Sequence, residues 1–172
     1  MTRINPLTID QVPAAARTVL QGVEKSLGFV PNVFATLAHS PAALGGYLAL
    51  SQALGRNSLT PAEREVVALA TSEVNGCEYC IAAHSYFGHK VGLGADQVNA
   101  ARAGTLDALA ALARAVTLSR GQLLDTQLSA ARVAGLDEAK IVDVIAQVAL
   151  LTLTNYLNNV ASTEVDFPPR RS

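Results

Sequence analysis

The sequence has no tryptophan, one methionine, four tyrosines, four phenylalanines and only two cysteines in 172 residues. Each scarcity excludes something. With so few rings, the core has to come from alanine and leucine, which favours thin helices in close approach over sheets of bulky side chains. Two cysteines at positions 77 and 80 are too few and too local to staple a secreted fold. A formal net charge of −1 leaves no electrostatic footprint for nucleic acid or an anionic membrane. The N-terminal stretch has no continuous apolar segment, and no uninterrupted apolar run reaches the ~18 to 20 residues of a membrane-spanning helix. We therefore expect a soluble cytoplasmic protein with neither nucleic acid nor membrane as partner.

What is present is apolar surface and helix punctuation. Half of the residues are apolar, and a chain of this length buries roughly two-thirds of its unfolded surface in one core. The expectation is one all-α domain over residues 1–172, without strand alternation, long repeats or low-complexity linkers. A first helix is read over Asp10 to Leu27, with Pro13 in its first turn and Gly28 closing it. Residues 28–34, GFVPNVF, read as a connector. Ser40-Pro41 opens a helix that ends near Gly55. Thr60-Pro61-Ala62-Glu63 is a capping box that starts a helix running to about Val74.

Asn75-Gly76 breaks that helix, and Cys77 opens the next, which should run to Gly88 or Gly92. Further helices are read near Asp96 to Ala103, Leu106 to Arg120 and Gln122 to Ala134. Asp137 caps a last long helix, apolar nearly all round from Val144 to Leu153, as befits a central helix or a subunit interface. The tail STEVDFPPRRS should lie along the surface.

The segment CEYCIAAH, residues 77–84, holds both cysteines and one of three histidines. Side chains three and four apart on a helix share a face, so Cys77, Cys80 and His84 form one stripe. Cys80 and His84 can touch; Cys77 and His84 are about 10 Å apart along the axis at ~1.5 Å per residue. The helix N-terminus, the neighbouring thiol and the imidazole all favour thiolate. A Cys80 thiolate that attacks a hydroperoxide becomes a sulfenic acid, and Cys77 one turn away condenses with it to a disulfide. Because Cys77 lies at the outer end of the helix, a reducing partner should reach it first. For the group that orients His84, spacing leaves both Glu65 and Glu73 on the preceding helix, with Glu78 pointing to another face.

Residues 59–88, LTPAEREVVALATSEVNGCEYCIAAHSYFG, resemble the core of the alkylhydroperoxidase AhpD-like branch of the carboxymuconolactone decarboxylase family. The family pattern has a Glu twelve residues before CxxC and a His four after it, positions held here by Glu65, Cys77, Cys80 and His84. GFVPNVFATLAHSP and LTNYLNNVASTEVDFP are similar to the flanks of its peroxidase-related members. The resemblance implies an AhpD-like helical bundle that assembles as a homo-oligomer, a trimer or hexamer. It also implies a thiol-dependent peroxidase that reduces organic hydroperoxides or hydrogen peroxide in antioxidant defence, without a bound cofactor. The reductant it implies is an external dithiol or lipoylated protein. It favours Glu65 over Glu73, and gives Cys80 the peroxidatic role, Cys77 the resolving role, and His84 with Glu65 a proton relay. One position departs: where the best-known peroxidase members have a His immediately before the second Cys, this chain has Tyr79, a poorer proton shuttle with an unperturbed pKa near ~10.

Other readings remain. Cys77 and Cys80 could be inert buried thiols. Cys77, Cys80 and His84 could hold zinc in a regulatory domain, with His89 as fourth ligand if Gly88 breaks the helix. A decarboxylase-like enzyme on the same scaffold would not rely on the CxxC pair. His39 and His89 otherwise read as structural, and Tyr47, Tyr86 and Phe87 as packing residues.

Overall fold

The structure, a computed structural model, describes residues 1–168. Among them every regular element is helical, as the composition predicts. In chain order these are α1 (Ala14–Leu27), α2 (Asn32–Leu37), α3 (Pro41–Leu54), α4 (Pro61–Val74), α5 (Glu78–Lys90), α6 (Ala95–Ala103), α7 (Ala108–Ser119), α8 (Asp125–Val133) and α9 (Glu138–Ala161).

Local chemistry sets most of these boundaries. Thr60 and Glu63 close the capping box at the start of α4, and Ser40 and Asp107 cap α3 and α7 through their side-chain oxygens. Asp137 does the same for α9, as expected from the sequence. Three expectations change. The first helix begins at Ala14 rather than Asp10, with Pro13 as its N-cap instead of inside its first turn, since Pro13 holds an extended ψ of 141°. Residues 32–34, read as part of a connector, belong to the short helix α2, because Pro31 supplies a fixed φ at the helix entry rather than an extended link. Gly88 does not stop α5, which runs to Lys90. A Cβ there would meet Leu93 Cδ1 at 3.3 Å, so this glycine serves close packing rather than a turn.

The helix α4 is the central strut, packing against α5, α6, α7 and α9. Its Val66, Val67, Leu69 and Ala70 join Leu109, Leu112, Ala113, Val144 and Val148 in a core of aliphatic side chains. A second core is different in kind. Residues from α1, α2, α3 and α5 surround Cys77, Cys80 and Tyr79, with Phe29, Phe34, Tyr47, Tyr86, Phe87 and Phe167 packed in or against it. Nearly all the aromatic side chains of the protein are spent here. The long helix α9 is long and apolar enough to cross a membrane, but half of its apolar window is buried within the bundle. Val144, Val148, Leu150 and Leu151 face inward, while Val142, Ile145, Leu153, Tyr156 and Val160 stay exposed.

The C-terminal tail does not simply lie along the surface. Glu164 and Val165 are exposed, but Phe167 enters the second core, where it packs on Phe29, Tyr79, Tyr86 and Phe87 with ring centroids 5.4 to 6.0 Å apart. The rest of the STEVDFPPRRS segment, beyond residue 168, lies outside the described residues.

Candidate active site

The turn between α4 and α5 is built around one residue with two jobs. Gly76, at φ +61°, takes the left-handed conformation that closes α4. The Gly76 N–H then donates to the Glu73 carbonyl at 3.1 Å, and the Cys77 N–H to the Ser72 carbonyl at 3.0 Å. The side chain of the same Cys77 caps α5 by accepting the Cys80 N–H on its Sγ at 3.3 Å. Cys77 is thus pinned from both sides and is 0% exposed. That corrects the expectation that Cys77 is the outer thiol: being first on the helix does not make it accessible, because the cap turns its sulfur inward.

Cys80 is the thiol that faces a cavity. It lines a space of about 110 Å³ whose walls include Phe34, Tyr47, Tyr79, His84, Phe87 and Phe167. Cys80 itself is 3% exposed. Both cysteines are free thiols.

The two thiols are unequal. The Cys77 thiol donates to the Cys80 sulfur, which pushes the Cys77 pKa up, and burial adds to the rise. The same hydrogen bond is the leading cause that lowers Cys80, to about 6; burial opposes it, while His84 and the side chains of Asn158 and Asn155 reinforce it. One sulfur is held as thiolate by the proton kept on the other.

His84 stands one turn beyond Cys80, and its Nδ1 lies 2.8 Å from Glu65 Oε2. Burial works against the imidazolium, but the Glu65 carboxylate and its hydrogen bond outweigh it, and the charge of Cys80 adds further, so the His84 pKa is raised. Glu73, the alternative left open by spacing, instead pairs with Arg102 at 2.8 Å. The other face of His84 and Glu65 borders a polar cleft of about 220 Å³ that includes Arg64 and Gln147. The imidazole therefore sits between the cavity and a route outward.

Tyr79 is 4% exposed, and its hydroxyl is fully engaged. It donates to Asp166 Oδ1 at 2.7 Å and accepts the Val33 N–H at 3.3 Å. Burial, followed by the Asp166 contact, pushes its pKa further up. Asp166 uses its second oxygen to accept the Asn32 N–H at 2.8 Å, at the start of α2. His89 is turned to the Leu93 carbonyl at 2.8 Å, away from the thiols. No group of three or more His, Cys, Asp or Glu side chains suited to a metal ion occurs among the described residues.

Sequence reasoning missed three participants, Asn158, Asp166 and Tyr47. Asn158 donates its amide Nδ2–H to Cys80 Sγ at 3.3 Å from α9. Tyr47 borders both the thiol cavity and the Glu65 cleft. The flanking segment LTNYLNNVASTEVDFP contains two of the three, yet nothing in local spacing ties residues this far along the chain to the CxxC turn.

Comparison with known proteins bears on the fold. Residues 41–108, which span α3 to the first residue of α7 and include Glu65, Cys77, Cys80 and His84, match the model of the Carboxymuconolactone decarboxylase family. That region is similar to the core of this family. Around it the whole fold is AhpD-like. An uncharacterized peroxidase-related protein from Ralstonia eutropha JMP134, described as an alkylhydroperoxidase AhpD core, superposes with a TM-score of 0.85 at 26% identity, covering 96% of this chain and 93% of its own. The debrominase Bmp8 in complex with 2,3,4-tribromopyrrole shares the fold with a TM-score of 0.81 at 21% identity, over 99% and 95% of the two chains. An uncharacterized peroxidase-related protein from Silicibacter sp. TM1040 does so with a TM-score of 0.77 at 21% identity, over 94% and 91%. No curated protein sequence matches the chain.

Proposed function

We propose that this protein is a thiol peroxidase that reduces hydrogen peroxide or a compact organic hydroperoxide through a Cys77–Cys80 redox cycle. The observation that carries the reading is the Cys80 thiolate at an apolar cavity, with a protonated Cys77 behind it and the Glu65-tied His84 beside it. The likeness to peroxidase-related proteins supports it.

In the first step the Cys80 thiolate attacks the outer oxygen of ROOH. The O–O bond breaks, Cys80 becomes a sulfenic acid, and the departing alkoxide takes a proton from the His84 imidazolium to leave as ROH. In the second step the Cys77 sulfur attacks the sulfenic sulfur; the thiol proton and the hydroxyl leave as water, and the disulfide closes. An external dithiol or lipoylated protein then returns two electrons and two protons. Glu65 holds the His84 ring and its charge, and of the two protons that come with the electrons one returns to Cys77 and the other to His84. No bound cofactor takes part. We place the protein in the cytoplasm, where such dithiols are kept reduced. We also infer a homo-oligomer, a trimer or hexamer, with the exposed flank of α9 through Val142, Ile145, Leu153, Tyr156 and Val160 as the contact; light scattering on the purified protein reads its size.

The test of the reaction is mass spectrometry after stoichiometric peroxide. We expect the loss of two hydrogens within one chain and no cross-linked species; thiols that stay free would sink the proposal.

The aromatic wall of the cavity favours one second reading, reductive dehalogenation of a small haloaromatic ring. There the two thiols become the disulfide while carbon–halogen becomes carbon–hydrogen, with HX released. Halide release in step with thiol loss distinguishes it from peroxide reduction.

A further inference from the structure

The three asparagines of LTNYLNNV are unexplained by any role so far given to α9, yet all three reach the CxxC turn. Asn159 donates its Nδ2–H to the Asn75 carbonyl at 2.8 Å. Asn75 in turn donates its amide to Asn155 Oδ1 at 2.8 Å, and Asn155 donates to Ser72 Oγ at 3.1 Å. These bonds fasten α9 to the end of α4 and the turn that carries Cys77. Asn158 stands between them and is itself 3% exposed. Its Nδ2 meets Cys80 Sγ at 3.3 Å, while its Oδ1 is buried with no hydrogen-bond partner.

An amide buried with one end unsatisfied destabilises a fold. A packing role does not account for keeping it, since a leucine of similar size would fill the space without that cost. We propose that Asn158 is a catalytic residue of the thiol site, the hydrogen-bond donor that holds negative charge on the Cys80 sulfur and aims that sulfur into the cavity. Asn155 and Asn159 are positioning residues that set the height of α9 against the turn, so that the Asn158 amide arrives at the sulfur.

The contact is made to the proposed reacting atom, and it comes from α9, which also lends Thr154 to the thiol cavity and Gln147 to the His84 cleft. It adds a donor the Cys77 thiol cannot replace, because Cys77 consumes its own proton when the disulfide closes. This inference concerns the thiolate alone; it rests on the proposed use of Cys80 but not on which electrophile Cys80 attacks.

The experiment is thiolate absorbance at 240 nm against pH in the reduced full-length protein, with circular dichroism to verify folding. In Asn158→Leu the Cys80 midpoint should rise by about one pH unit, the tenfold or greater change in proton affinity expected when a thiolate loses a hydrogen bond of this kind. In Asn158→Asp, nearly the same shape but bearing a carboxylate, the rise should be larger. Asn159→Ala, at the exposed edge of the ladder, should shift it least. An unmoved midpoint in folded Asn158→Asp overturns the inference, whether or not Asn158→Leu folds. If the midpoint shifts but the wild-type protein ignores peroxides, the proposed peroxidase activity fails and the role of Asn158 stands.

Discussion

Two hydrogen-bonded pairs leave α5 on either side of the Cys80 thiol, and they are nearly equal in length but not in kind. On one side His84 meets Glu65 at 2.8 Å; on the other Tyr79 meets Asp166 at 2.7 Å. The first pair is about one-fifth exposed and borders a polar cleft, so its proton has somewhere to go. In the second the phenol is buried against Phe167 and already serves two partners. The comparison answers the question raised by Tyr79 in place of histidine. This tyrosine is a fastener: it locks the C-terminal tail and the start of α2 to the helix that bears the thiols. In the proposed cycle proton handling falls to His84.

Four predictions break or sharpen that contrast. The largest concerns the sulfur between the pairs. Cys80→Ser should reduce peroxide consumption to the buffer background, whereas Cys77→Ser should permit a single turnover that stops at Cys80 sulfenic acid, trapped by a dimedone-type reagent. Equal loss of the first turnover in both variants removes the division of roles. Next, His84→Ala should slow the first oxidation by about 100-fold, the lower end of what a positioned acid or base contributes. Glu65→Gln should slow it by about tenfold, since the ring stays while the charge that raises its pKa is lost. Stopped-flow consumption of hydrogen peroxide measures both, and a His84→Ala protein as fast as wild type ends the relay.

Third comes pH. Cys80 is lowered by the Cys77 hydrogen bond and then by His84, so alkylation of reduced protein should rise through about pH 6 and modify Cys80 first. The sign for stability follows. A depressed folded-state pKa contributes stability that is fully present above the thiol's unfolded pKa and is lost as pH falls through about 6. Urea melts of wild type and Cys80→Ser should therefore converge as pH drops below that value. The smallest chemical effect belongs to the Tyr79–Asp166 pair. Tyr79→Phe removes the hydroxyl shared by Val33 and Asp166 and should cost about 1–3 kcal/mol in stability. Its first oxidation at neutral pH should stay within about twofold of wild type. A large rate loss in the folded variant makes the tyrosine chemical after all.

The same contrast explains what the sequence could tell. Capping at Thr60 and Asp137, the α4–α5 break and the shared face of Cys80 and His84 depend on residues a few positions apart, and local spacing reads them directly. Glu65 and Glu73 could not be separated by spacing, since eight residues on a helix bring both near the same side; the family pattern chose, and the ion pair of Glu73 with Arg102 shows why the choice was real. The Tyr79–Asp166 and Cys80–Asn158 bonds join residues 87 and 78 positions apart. Nothing local encodes them. The burial of Cys77 escaped for a related reason: a cysteine rarely caps a helix, so its position at the first turn read as exposure rather than as a fold inward.

That cap ties the chemistry to the backbone. In the reduced protein the Cys80 amide rests on the Cys77 sulfur. In the proposed cycle that sulfur turns to bond Cys80 covalently, and the amide should then lose its acceptor and the first turn of α5 be released. The oxidation state of the thiols becomes legible in the main chain: hydrogen–deuterium exchange at residues 78–80 should quicken in the disulfide form and slow again on reduction. A partner able to sense a frayed helix start could tell spent protein from fresh without touching either sulfur.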